Sequence, residues 1–473
     1  MPDDEPPISI ESFGASFKGF LEQMASQAPV EEPIFLGHIR RHFEAEPTRY
    51  PILTEEFEVS DHPNVQLAIE EYISESNRSA ELLGVIGDQS SAYLGLTLAQ
   101  LLAPSRAGLI GGSGPVDGPI QYVNIDVDEG QTLACVQCGL YLIQDGPKRL
   151  AVLVRGPNEM GYQKKIHIEV LAVERTHADR FLSDIRLSMR RRNVYRGRVL
   201  SLDVDHFQSL RVKFHKLPEI SQEQIILPEG LLNRIERQTV GFAKHSKKLL
   251  AAGRHLKRGI LLHGPPGTGK TLTAMYLASQ LRDRTTLLLT GRGLGLIEQS
   301  CAMARALQPS MVILEDVDLV AEERTRPDAS CTVLLFELLN QMDGMAEDVD
   351  VIFLLTTNRP DILEPALASR PGRVDQAIEV PLPDQDCRRR LFALYGEGLK
   401  VRLNEMDSII DRTSGASAAF IRELMRKAAL FAADEKDEIE IEDRHIDEAL
   451  HELVIDGGEL TKTLLGMETK RYN

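Results

Sequence analysis

The chain of 473 residues exceeds what a single hydrophobic core supports and implies two or three domains. Its hydrophobic content of 42% and charged content of 26% are those of an ordinary soluble globular protein, and no apolar run approaches the length of a membrane span. The formal net charge of −17 opposes general attraction to nucleic acid or anionic membranes.

The acidic, proline-rich start, Met1 to Pro7, lacks the basic and apolar regions of a signal peptide, so a cytoplasmic location is expected. Helical patterns run from Ile8 to Gln27 and from Pro63 to Ser76, and Leu109 to Pro119 reads as a loop. Strand-like segments follow at Ile120 to Val127, Thr132 to Ile143, Leu150 to Val154 and Ile166 to Val173. A helix from about His177 to Arg191 then leads to a strand from Val194 to Leu202. Residues 1–215 are therefore expected to form a mixed α+β N-terminal domain that binds a substrate or partner, with no catalytic constellation in it.

Two features of this region invite a chemical reading. The five cysteines are odd in number and scattered, which argues against a disulfide framework. Cys135 and Cys138 form the one close pair, and a strand would turn their thiols to opposite sides, so they read as buried strand cysteines rather than zinc ligands. Arg186, Arg190, Arg191, Arg192, Arg196 and Arg198 concentrate positive charge where the helix meets the strand. The ordinary reading is a solvated helix end that complements the macrodipole; a phosphate-binding or partner-binding patch is the alternative.

Pro228 to Ala252 reads as a linker helix pair. Apolar strands then alternate with helical patterns: Gly259 to Leu262, Thr286 to Leu289, Met311 to Leu314, Val351 to Thr356 and Ala377 to Val380. That rhythm specifies a parallel sheet covered by helices, an α/β nucleotide-binding unit over 216–382. After Pro381-Leu382-Pro383 the strands are expected to stop, leaving a small helical lid over 383–473. Its amphipathic helix, Ala416 to Asp434, carries Phe420, Leu424, Ala428 and Phe431 on one side.

Between the first of these strands and the next helix stands Gly264-Pro265-Pro266-Gly267-Thr268-Gly269-Lys270-Thr271, a complete G-x-x-x-x-G-K-[ST] phosphate loop. The glycines let backbone N–H groups converge on phosphates. Lys270 neutralises β/γ oxygens, and the Thr271 hydroxyl is placed to ligate magnesium at a helix N-terminus. The motif makes the protein a nucleoside triphosphate binder.

Three further elements follow in order. Met311 to Asp318 is an apolar strand running into Glu315-Asp316-Val317-Asp318, where one carboxylate can hold the magnesium shell and another orient the attacking water. Phe353 to Thr357 ends in Asn358, an amide able to hydrogen-bond water or γ-phosphate. Arg370-Pro371-Gly372-Arg373 presents two guanidinium groups on a rigid turn, as an arginine finger requires.

Taken together, Gly259 to about Ala433 resembles an AAA-family ATPase module. The resemblance implies ATP and Mg²⁺ as ligands and a ring oligomer, usually a hexamer, with Arg370 or Arg373 entering the neighbour's site. It also implies that Leu272 and the lid residues Gly415 and Ala416 border the nucleotide, with no lid arginine at the position that touches γ-phosphate in other branches. Most members end the acidic strand Asp-Glu, whereas this chain ends it Glu315-Asp316. That inversion and the short Thr290-Gly291-Arg292-Gly293-Leu294 stretch resemble the branch of the mitochondrial ATPase that translocates the Rieske iron–sulfur protein, although no counterpart of its membrane anchor or N-terminal domain is recognisable. By position, Asp316 takes the place of the family's water-polarising glutamate, and Glu315 holds magnesium through water.

Peptide-threading relatives carry an aromatic pore-loop residue where this chain has Gly293-Leu294-Gly295-Leu296-Ile297. The resemblance therefore implies an oligomeric ATPase that remodels or disassembles a protein partner, with a nucleotide-gated assembly switch as the alternative. Nucleic-acid remodelling through the arginine-rich segment is opposed by the overall charge.

Overall fold

The computed structural model describes residues 10–27, 30–31, 33–87, 95–103, 105–106, 115–157, 164–204, 210–318, 331–344, 346, 348–361, 374–435 and 438–456. The chain divides into two compact units, one of residues 1–194 with 204–211 and one of residues 195–203 with 212–473.

The first unit is built on an antiparallel sheet whose strands lie in the order Ile52–Phe57, Ile166–Ala172, Lys148–Arg155, Gln131–Asp145, Arg78–Ile86 and Val116–Gly118, with Gln121–Asp128 also pairing Gln131–Asp145. Side chains on a strand alternate between faces, and here both faces are covered. Val152 and Val154 pack with Ile69 of helix His62–Ile73 and Phe181 of helix Arg175–Arg191. Their neighbours Ala151 and Leu153 pack with Ile39 of helix Ile34–Phe43 and Leu101 of the short helix Leu98–Leu102. Removing a side chain such as Phe181, which is fully buried, would cost about 3–5 kcal/mol.

Helix Ile34–Phe43 and strands Ile52–Phe57 and Arg78–Ile86 are additions to the elements read from sequence. The Leu109 to Pro119 loop falls mostly outside the described residues, and its end, Val116–Gly118, is a strand paired with Gly84–Ile86. The arginine-rich segment is largely neutralised locally: Arg186 bonds Glu55 at 2.9 Å, and Arg191 and Arg192 lie 2.6 and 3.4 Å from Glu71. Cys135 and Cys138 are free thiols, and no group of three or more metal-ligating side chains occurs among the described residues.

The second unit carries a sheet in the order Leu210–His215, Val199–Val204, Thr285–Leu289, Ser310–Leu314, Val351–Thr357, Arg258–His263 and Gln376–Glu379. Its pairings from Val199–Val204 onward are parallel. The strand expected at Val194 to Leu202 is therefore not part of the N-terminal unit. It begins at Val199, pairs Val199 with Thr286 and Leu200 with Leu287, and buries Leu200 and Leu202; residues 195–203 belong to the second unit, while 204–211 return to the first.

One consequence of this order matters for chemistry. Val351–Thr357 lies between Arg258–His263, which leads into the phosphate loop, and Ser310–Leu314, which leads into the acidic run. The carboxyl ends of all three strands emerge on one edge, where parallel sheets place their ligand sites.

The last part of the unit has its own apolar core, formed by helices Gln385–Tyr395, Met406–Arg412, Ala418–Glu435 and Asp443–His451. Strands do not stop altogether after Pro383: Lys400–Arg402 pairs in parallel with Glu440–Glu442 across this core. Three-residue strands surrounded by charge leave too short a pattern to read.

Candidate active site

The phosphate loop follows strand Arg258–His263 and feeds helix Lys270–Gln280. Its glycines are demanded by close approach. Gly264 has φ +147°, and a Cβ there would lie 2.2 Å from the Val380 carbonyl oxygen. Gly267 has φ +74°, and a Cβ there would meet the Ser417 hydroxyl at 2.7 Å and the Ala419 methyl at 2.8 Å. Either substitution would push the loop off its neighbours.

Lys270 is almost wholly buried, and its Nζ donates to the carbonyl oxygens of Gly264 and Pro265, both at 2.8 Å. Burial lowers its pKa to about 8, against the opposing pull of Asp316 and Asp318.

Glu315 ends the acidic strand beside the loop, and its carboxylate accepts a hydrogen bond from Thr271. Its Oε1 is buried without a hydrogen-bond partner, and burial, reinforced by the charge of Asp316, raises its pKa. Asp316 instead faces a cavity of about 1160 Å³ that Lys270, Thr271, Leu272 and Asn358 also line. Asn358 Nδ2 donates to Asp316 Oδ1 at 3.2 Å. Burial first, and the like charge of Asp318 second, raise the Asp316 pKa.

Asp318 had no role in the reading from sequence. It is 4% exposed and accepts from the Thr357 hydroxyl at 2.8 Å and the Asn358 amide at 3.1 Å. The signal was present in Glu-Asp-Val-Asp, but spacing alone does not say which carboxylate turns inward. Arg370 and Arg373 lie outside the described residues.

The family model described as "ATPase family associated with various cellular activities (AAA)" matches residues 260–382, the segment that carries the phosphate loop, the acidic run and Asn358. Residues 260–382 are an AAA ATPase domain. The chain is 33% identical over 240 residues to the proteasome-activating nucleotidase of Methanothermobacter thermautotrophicus, covering 48% of this chain and 58% of that protein. It is 30% identical over 267 residues to the 26S proteasome regulatory subunit 8 homolog of Schizosaccharomyces pombe, covering 54% and 66%. It is also 34% identical over 230 residues to the ATP-dependent zinc metalloprotease FtsH of Mesomycoplasma conjunctivae, covering 46% and 30%. The match thus spans less than two thirds of each of these relatives.

Around the AAA domain, the lid contributes differently from expectation. Gly415 and Ala416 do not line the cavity, and Ala416 is fully buried. The contact is made one turn later: the Ala419 amide donates to the Gly267 carbonyl at 3.1 Å, and Ala418, Ala419, Arg422 and Arg426 line the cavity. The lid therefore does present arginines. Arg426 is held by Glu423 at 2.6 Å, while Arg422 is exposed. The other end of the cavity is apolar, with Ile225, Leu227, Leu391 and Met425, a surface suited to a purine ring.

The donors present suit magnesium. A buried, unpartnered carboxylate oxygen on Glu315, next to the Thr271 hydroxyl, gives an all-oxygen set that fits a hard divalent cation.

Proposed function

We propose that the chain is an ATP-hydrolysing AAA ATPase that works as a ring of like subunits and remodels a protein partner selected by its N-terminal unit. The observation that carries the hydrolytic part is the meeting of Lys270, Asp316 and Asn358 on one cavity at the ends of three adjacent strands. Asp316 and Asn358 hold the attacking water, and the Asp316 carboxylate takes its proton. Lys270 moves from the loop carbonyls to β/γ-phosphate oxygens. Thr271 and, through water, Glu315 would hold magnesium, which would supply charge neutralisation when bound. Arg370 or Arg373 of a neighbouring subunit compensates transition-state charge, the reason for proposing a ring and, by family habit, a hexamer.

The names of the relatives support the remodelling part: a proteasome-activating nucleotidase, a proteasome regulatory subunit and an ATP-dependent protease share this domain with the chain. Among the described residues no helix is long and apolar enough to cross a membrane. The Glu315-Asp316 order supports the Rieske-translocase branch for active-site layout only, and the substrate of that branch is not carried over.

The test is phosphate release from ATP and magnesium, followed over many turnovers, with co-assembled subunits lacking either Lys270 or both arginines. Sustained turnover, partly recovered in the mixture, is expected. A single burst without recycling would favour the nucleotide-gated switch, and no recovery despite proven co-assembly would remove the shared site.

A further inference from the structure

Asp318 is a buried carboxylate that the hydrolytic scheme does not use. It does not line the nucleotide cavity; the Lys270 ammonium feels its charge, but among the described residues its two hydrogen bonds come from neutral donors. Burying a charge in such a place costs several kcal/mol unless the anion does something a neutral acceptor cannot. Here a single oxygen, Oδ1, accepts from both the Thr357 hydroxyl and the Asn358 amide, at 2.8 and 3.1 Å. Charge strengthens each of these bonds.

The contacts continue on the other side of the same crossing. The ladder between Ser310–Leu314 and Val351–Thr357 ends at Leu314 opposite Leu355. Beyond it, the Asp316 amide donates to the Thr356 hydroxyl at 3.0 Å, and the Val317 amide donates to the Thr356 carbonyl at 3.0 Å. Asp316 has φ 47°, a left-handed conformation that costs a residue with a Cβ on the order of 1 kcal/mol. The fully buried Thr356 hydroxyl holds Asp316 in that conformation, and the Asp318 carboxylate holds the Asn358 backbone. Each residue of the Asp316–Asn358 pair therefore has its own anchor.

We propose that Asp318 and Thr356 are positioning residues for ATP hydrolysis, fixing the backbones of Asn358 and Asp316 so that this pair meets the attacking water at a set spacing. The proposal rests on the ATPase reading of the site. Neither residue lines the nucleotide cavity. Their loss should act on the chemical step, where a displacement of about 1 Å costs up to about a hundredfold, and spare ground-state binding.

The experiment compares the full-length chain with Asp318→Ala, Asp318→Asn, Thr356→Ser and Thr356→Val, measuring kcat, KM, ADP affinity and hydrogen exchange at the Asn358 amide. Asp318→Ala is expected to lower kcat by about ten- to a hundredfold, to leave KM and ADP affinity within about twofold, and to deprotect the Asn358 amide. Asp318→Asn should fall between this variant and the parent. Thr356→Ser keeps the hydroxyl and should keep the rate, whereas the isosteric Thr356→Val should lose it. A parent-like kcat in Asp318→Ala, equal losses in the serine and valine variants, or loss of ADP binding together with turnover would overturn the proposal. Absence of hydrolysis by the parent chain would instead fault the ATPase reading, and exchange at Asn358 would still report whether Asp318 holds that amide.

Discussion

The Lys270 ammonium rests on the carbonyl oxygen of Gly264 at 2.8 Å, inside the loop whose phosphates it is placed to bind. Its depressed pKa, about 8 against an ordinary 10.5, makes two pH responses run in opposite directions. In the nucleotide-free protein the folded pKa lies below the unfolded one, so this group adds stability as pH rises from about 8 toward 10.5, and that gain is absent below 8. ATP binding needs the charged form. Affinity should therefore weaken above pH 8, by up to about tenfold per unit, and Lys270→Ala should remove both the pH dependence and tight binding. Calorimetric titration of ATP from pH 7 to 9.5 checks this, and a flat affinity would contradict it.

Glu315 supports a second prediction. Glu315→Gln keeps the acceptor for Thr271 but removes the charge, so it should raise the magnesium concentration needed for half-maximal turnover by roughly tenfold with little change in metal-free ADP binding. Its pKa is raised by burial first and by the charge of Asp316 second, so neutralisation relieves the cost of holding a buried anion there. The metal-free variant should melt at a higher temperature than the parent, and a lower melting temperature would argue against that electrostatic account.

Gly267→Ala should disable the loop through geometry alone. The added methyl meets Ser417 and Ala419 of the lid at under 3 Å, at a φ that alanine resists. A loss of ATP affinity of at least about tenfold is expected, with the lid contact from the Ala419 amide to Gly267 lost as well. Unchanged affinity in equilibrium binding would mean that the lid yields freely.

How much of this was legible without coordinates follows from what each residue has to do. The phosphate loop is fixed by residue types at fixed spacing, so Gly264 through Thr271 could be read directly. Asp316 and Asn358 could be read because each follows an apolar strand. Thr356 and Asp318 could not, since their value lies in a crossing between two strands about forty residues apart in sequence. The lid register slipped by one turn because Gly415 has the positive φ of a helix stop, while the helix that meets the phosphate loop starts only at Ala418. Strand Ile52–Phe57 is not legible in the sequence because it lies at a sheet edge, where Glu55 and Glu56 break the apolar pattern.

In the N-terminal unit, Arg155 and Glu169 form an ion pair at 2.9 Å with both side chains under a tenth exposed, and Glu169 also accepts from the Leu98 amide at 2.7 Å. Glu169→Ala leaves the guanidinium without its carboxylate and should cost about 3–5 kcal/mol. The pair Arg155→Met with Glu169→Leu should cost less, because no buried charge remains and the loss is that of the acceptor for the Leu98 amide. Urea unfolding of the three variants checks this, and equal losses would show that the ion pair is not the source of the effect.

The central claim is that Asp316, held opposite Asn358 at 3.2 Å, activates water for ATP hydrolysis. It is tested most directly by measuring ATP affinity and steady-state phosphate release in the parent chain and in Asp316→Asn. The account predicts sustained release by the parent, and ATP affinity within about threefold but turnover reduced on the order of a thousandfold in the variant. Phosphate release by Asp316→Asn at the parent rate would contradict it.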